Sequence, residues 1–123
     1  ALGVGSTVGG GFCNRATSCM ATIAGGICNT ANGTYYPTIG GGTSNTSSGG
    51  YMSTVAGGEA NTASATLATI GGGRNNSSTS VDSTIGGGKG NTASGAASFV
   101  GGGCVNTASG ACSTVGGGKS NTS

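Results

Sequence analysis

The stretch Ser83-Thr84-Ile85-Gly86-Gly87-Gly88-Lys89-Gly90-Asn91-Thr92-Ala93-Ser94-Gly95-Ala96-Ala97 decides the fold, because the next fifteen residues, Ser98 to Cys112, repeat it. Working outward in both directions, the same phrase covers the chain from Ser6 onward. The aliphatic position gives Val8, Ile23, Ile39, Val55, Ile70, Ile85, Val100 and Val115. The asparagine position gives Asn14, Asn29, Asn45, Asn61, Asn76, Asn91, Asn106 and Asn121 without exception. Successive repeats are spaced 15, 16, 16, 15, 15, 15 and 15 residues apart. The extra residues fall near Thr34-Tyr35-Tyr36 and Gly50-Tyr51-Met52, which marks those segments as turns.

A repeat this short cannot hold a helix pair or a propeller blade. It fits one coil of a β-solenoid, in which each rung hydrogen-bonds to the rungs above and below. The expected fold is therefore all-β, a parallel β-solenoid or β-roll of about eight 15-residue coils, with residues 1–123 forming a single domain. Two strands of about five residues are expected per coil, on Ser-Thr-Val-Gly-Gly and Asn-Thr-Ala-Ser-Gly, joined by two turns. Rungs about 4.8 Å apart give a rod roughly 40 Å long.

Period-two alternation then assigns the faces. With Val8 and its equivalents inward, the residue before each points outward. That outward file is Thr7, Thr22, Thr38, Thr54, Thr69, Thr84, Phe99 and Thr114. On the second strand the small residues Ala16, Ala31, Ser47, Ala63, Ser78, Ala93, Ala108 and Ser123 point inward. Their neighbours form a second outward face, clearest at the pairs Thr62/Ser64, Thr92/Ser94 and Thr107/Ser109. The core is read as one aliphatic file against one Ala/Ser file. The asparagines are expected to stack at a corner and pass amide hydrogen bonds along the rod. The glycines mark positive-φ corners or close backbone approaches.

Composition agrees with a repetitive fold and excludes several alternatives. Of 123 residues, 30 are glycine, and there is no tryptophan or histidine and one proline. Disorder normally brings many charges or prolines, and both are scarce here. Glycine does not fall at every third position, so the chain is not collagen-like. The charged residues are Arg15, Glu59, Arg74, Asp82, Lys89 and Lys119, giving a net charge of +2. Four scattered cations make no nucleic-acid footprint. No apolar run reaches the roughly 18 residues of a membrane span, and no signal peptide is visible.

Five cysteines occur, at 13, 19, 28, 104 and 112. Cys13 and Cys28 share a coil position on consecutive rungs, so a disulfide between them is expected. Reduced thiols filling turn positions are the alternative. Cys104 and Cys112 lie in one coil at different turns, and Cys19 has no evident partner. Without histidine or Cys-x-x-Cys, no metal site is expected. Gly116–Ser120 reads Gly-Gly-Gly-Lys-Ser, but Ser113 stands where a phosphate loop needs its first glycine. The only carboxylates lie in different coils, so neither catalysis nor a cofactor is expected. Among the Asn-x-Ser/Thr sequons, Asn32 lies on an outward file and is the candidate glycosylation site. Asn45, Asn76 and Asn121 sit in the ladder.

The phrase Asn-Thr-Ala-Ser-Gly-x-x-Ser-Thr-Val-Gly-Gly-Gly, as at Asn91–Gly103 with Phe99 for threonine, resembles the head repeats of trimeric autotransporter adhesins. It is also similar to glycine-rich repeats in fibre-like proteins of bacteria, tailed phages and large DNA viruses. The resemblance implies a left-handed parallel β-roll. It also implies a structural fibre on an extracellular, cell or virion surface, with adhesion as an added role, self-associating as a trimer or a head-to-tail filament. Ala1 falls at the coil position of Ser123, so one copy would continue into the next almost in register. A segment of a longer repeat is the other reading of the same phase. A second resemblance, to ice-binding β-solenoids of insects and grasses, rests on the outward Thr-x-Ser pairs. It implies ice as the ligand; a surface or a glycan is the ligand class expected of the fibre reading.

Overall fold

The computed structural model describes all 123 residues and is all-β. One parallel sheet has eight two-residue strands: Thr7–Val8, Thr22–Ile23, Thr38–Ile39, Thr54–Val55, Thr69–Ile70, Thr84–Ile85, Phe99–Val100 and Thr114–Val115. The other has seven: Arg15–Ala16, Thr30–Ala31, Thr46–Ser47, Thr62–Ala63, Ser77–Ser78, Thr92–Ala93 and Thr107–Ala108. In each sheet every strand pairs with its equivalent one coil away, aliphatic on aliphatic and threonine on threonine, as in Thr84↔Thr69 and Ile85↔Ile70. This is the parallel β-solenoid that the repeat implies. No helix is long and apolar enough to cross a membrane.

The strands are shorter than the five residues expected. Each coil turns two corners in the left-handed region, so extended backbone is interrupted sooner. One corner carries Cys13, Cys28, Ser44, Ala60, Asn75, Gly90, Val105 and Ser120, at φ between 53° and 66°. The opposite corner carries Gly5, Met20, Tyr36, Met52, Leu67, Asp82, Ala97 and Cys112. The reversal aims the corner N–H back at the preceding rung. Cys28 N–H donates to Phe12 O at 2.8 Å, and Met20 N–H donates to Val4 O at 2.8 Å. Most other N–H groups donate forward, as Phe12 N–H does to Gly26 O at 3.0 Å. Rung-to-rung bonding therefore continues around the corners. Of 76 backbone hydrogen bonds only 13 lie inside the short strands, so the sheets alone do not hold the stack together.

Both insertions lie in turns, and they explain the single proline. In 15-residue coils the N–H after the second corner donates three residues back, as Ala68 does to Ala65 O at 3.1 Å and Ser83 to Ser80 O at 3.1 Å. The two longer turns, ending at Tyr36 and Met52, do not make that bond. Pro37 follows the first of them, where a missing N–H leaves no turn bond broken.

The core is thicker than two files. Ile23, Ile39, Val55, Ile70, Ile85 and Val100 are fully buried, facing Ala16, Ala31, Ser47, Ala63, Ser78, Ala93 and Ala108. Two further inward files flank them: Ala21, Pro37, Ser53, Ala68, Ser83 and Ser98 on one side, and Asn29 to Asn106 on the other. The sequence reading missed the first of these because it mixes alanine, serine and proline and carries no hydrophobic signal. Ser123, assigned inward, is exposed because no rung covers it.

Candidate functional site

The most regular chemistry in the rod is the asparagine ladder, and the glycine triplet makes it possible. Asn76 shows the arrangement. Its Oδ1 accepts the backbone N–H of Asn91 on the next rung at 2.9 Å. Its Nδ2 donates to Gly72 O on its own coil at 3.0 Å and to Gly88 O on the next at 2.9 Å. Asn29, Asn45, Asn61, Asn91 and Asn106 repeat the set. Asn14 makes the same three bonds at the first rung, and Asn121, with no rung beyond it, keeps only the bond from Nδ2 to Gly117 O. The expected ladder is present, but its bonds run mainly from side chain to backbone. Only Asn29 Nδ2 to Asn14 Oδ1, at 3.1 Å, joins two amides directly.

This geometry specifies both residues. Aspartate has no donor and would aim a buried charge at two carbonyl oxygens. The third glycine of each triplet has φ near 90°, for example 89° at Gly88. A Cβ there would strike the Gly103 carbonyl oxygen and lie 2.7 Å from Asn91 Nδ2. Positive φ and close approach therefore coincide at that position.

The outward threonine file lies where expected, with Thr7, Thr22 and Thr114 exposed and Thr38, Thr54, Thr69 and Thr84 half-buried between neighbouring rungs. Phe99 interrupts it and is 41% exposed. On the second face Thr62, Thr92 and Thr107 are half-buried, and Ser64, Ser94 and Ser109 are exposed. The two sheets hold these files in direct register, as in Thr92↔Thr107. Asn32 is exposed. The amides of Asn45 and Asn76 are buried and engaged in the ladder.

The cysteine expectation needs correction. All five cysteines are free thiols, including Cys13 and Cys28. These two do occupy neighbouring rungs, with φ of 61° and 53°. Identical corner conformations on in-register rungs make their Cα–Cβ bonds parallel. The Cβ atoms are then kept about one rung step of 4.8 Å apart, wider than the roughly 3.8 Å a disulfide takes. The Cys13 thiol, as hydrogen-bond partner, pushes the Cys28 thiol up from its ordinary pKa. Partial burial and then the charge of Cys13 act in the same direction.

Two surface features were missed from sequence. Glu59, Arg74, Lys89 and Lys119 share the position after the glycine triplet, so they line one corner. Arg74 and Glu59 approach to 3.9 Å, but both are more than half exposed, so the pair contributes little. The opposite corner carries an apolar ridge over successive rungs: Val4, Met20, Tyr35, Tyr36, Tyr51, Met52, Leu67 and Val81 are all exposed. Tyr35 and Tyr51 stack with ring centroids 5.4 Å apart. Tallying residues by coil position, turns included, would have found both.

No known family model and no curated protein matches the chain. The class therefore follows from the fold itself: this is a solenoid repeat protein of structural type, built from one coil used over and over.

Proposed function

We propose that this chain is a rod-forming segment of a fibre or filament on an extracellular, cell or virion surface. It acts through length, stiffness and a repeated outer surface, and not as an enzyme. Copies associate head to tail or side by side as a trimer, and the outward files give the rod its adhesive surface for a glycan or another surface. The observation that carries this reading is the register. Each coil makes the same contacts to the next as its neighbours do, so 15 residues add one rung of about 4.8 Å. Such a geometry builds length in one direction and repeats its surface rather than concentrating it. Negative-stain microscopy over a rising concentration series tests the assembly. The expected result is elongated particles that lengthen or bundle. Isolated short rods at the highest concentration would contradict self-association.

Ice binding is the second reading. The in-register threonine files on both sheets favour it. Thermal hysteresis of the purified protein separates the two. A clear hysteresis gap, lost on Thr92→Lys, would replace the fibre reading with the ice-binding one.

A further inference from the structure

We propose that Cys13 and Cys28 form a two-thiol clamp for one soft monovalent d10 cation, cuprous ion being the biological member of that class. The rung repeat that keeps the pair from a disulfide suits such an ion. On the scale of a zinc–thiolate bond, about 2.3 Å, two metal–sulfur bonds placed end to end span roughly 4.6 Å. That is close to the ~4.8 Å step between rungs. Thiolate ligands select cuprous ion over harder cations.

The surroundings agree. Phe12 and Ile27, just before the two cysteines, pair as neighbours across the rungs and so fix the register of the clamp. Both thiols are reachable, Cys13 being exposed and Cys28 partly so. The two cysteines hold the same left-handed corner position on adjacent rungs, at φ 61° and 53°, so their side chains leave the rod side by side. Arg15 is the only charged residue in these two coils, and it is cationic. A bis-thiolate complex of a monovalent ion carries one negative charge, so the local balance is favourable. In binding, each sulfur forms a bond to the ion and releases its proton to solvent. The ion's weakly held ligands leave, and no oxidation state changes.

The test uses the full chain, fully reduced and anaerobic, with cuprous ion supplied from a colorimetric chelator. Wild type is expected to take one equivalent per monomeric chain, read by native mass spectrometry. Affinity should rise by about a hundredfold per pH unit below the thiol range, because two protons leave. Cys13→Ser and Cys28→Ser should each abolish this binding. Both variants are expected to fold, because Ser44 and Ser120 already occupy the same corner at φ 56°. Far-UV circular dichroism checks this. The triple variant Cys19→Ser/Cys104→Ser/Cys112→Ser should bind as wild type does. The clamp is overturned by no uptake against the chelator, by uptake that survives Cys13→Ser, by loss in the triple variant, or by half an equivalent bound in a dimer.

Discussion

Ser78 and Ser83 show how individual hydroxyls are settled inside this core. Their Oγ atoms meet at 2.7 Å, and Ser47 and Ser53 pair at the same distance two coils away. Where the inward residue across the corner is alanine, a serine in the flanking file has no such partner. Ser98 faces Ala93 and Ser113 faces Ala108, and their hydroxyls are the two buried side-chain polar atoms without a hydrogen bond. Ser98→Ala should therefore leave stability unchanged or raise it, by up to about 1 kcal/mol. Ser83→Ala should lower it by about 1–2 kcal/mol, because Ser83 Oγ also donates to Ser80 O at 2.6 Å. Urea midpoints of the two variants check the contrast. Asn76→Ala removes three ladder bonds and strands buried backbone groups, and it should cost about 2–4 kcal/mol. Asn76→Asp should cost more at neutral pH, since its charge would face the Gly72 and Gly88 carbonyls. Urea titration at neutral pH ranks the two, and equal midpoints would refute the donor role of Nδ2.

At the scale of the coil, the two left-handed corners are the feature that sequence conveyed least. Glycine is the residue expected at positive φ, yet most of these corners hold Met, Tyr, Ala, Ser, Cys, Leu or Val. A reader following glycine finds the triplet and misses the corners beside it. The aliphatic, threonine and asparagine files were legible because each repeats one chemical type at a fixed spacing. The flanking serine–alanine file, the charged corner and the apolar ridge are harder to see, because each mixes chemical types and shows only when every coil position, turns included, is tallied. The corners also carry strain that can be relieved. Val105 is β-branched at φ 56°, a conformation unfavourable for such a residue. Gly90 already occupies the equivalent corner one coil earlier at φ 66°. Val105→Gly should raise stability by about 1 kcal/mol in thermal or urea unfolding, despite the added flexibility of the unfolded chain. A lower midpoint would mean that exposed Val105 packs against its neighbours more than its 54% exposure suggests.

For the whole molecule, length and surface follow from one translation repeated. The surface is not uniform along that axis. The Tyr/Met ridge occupies the earlier coils, whereas Glu59, Arg74, Lys89 and Lys119 line the opposite corner later in the chain. Side-by-side packing of rods in the proposed fibre would thus engage the earlier coils first. The central claim beneath all of this is that each 15-residue repeat advances the chain by one rung. Spin labels placed on the outward threonine file measure it most directly, in a chain whose native cysteines are replaced by serine. Thr22 and Thr84 are four pairings apart, and Thr22 and Thr114 are six. Pulsed electron–electron double resonance should give separations centred near ~19 Å and ~29 Å, in the ratio of the rung counts. Broad distributions, or separations that do not scale with the number of rungs, would contradict the solenoid and the rod-like function built on it.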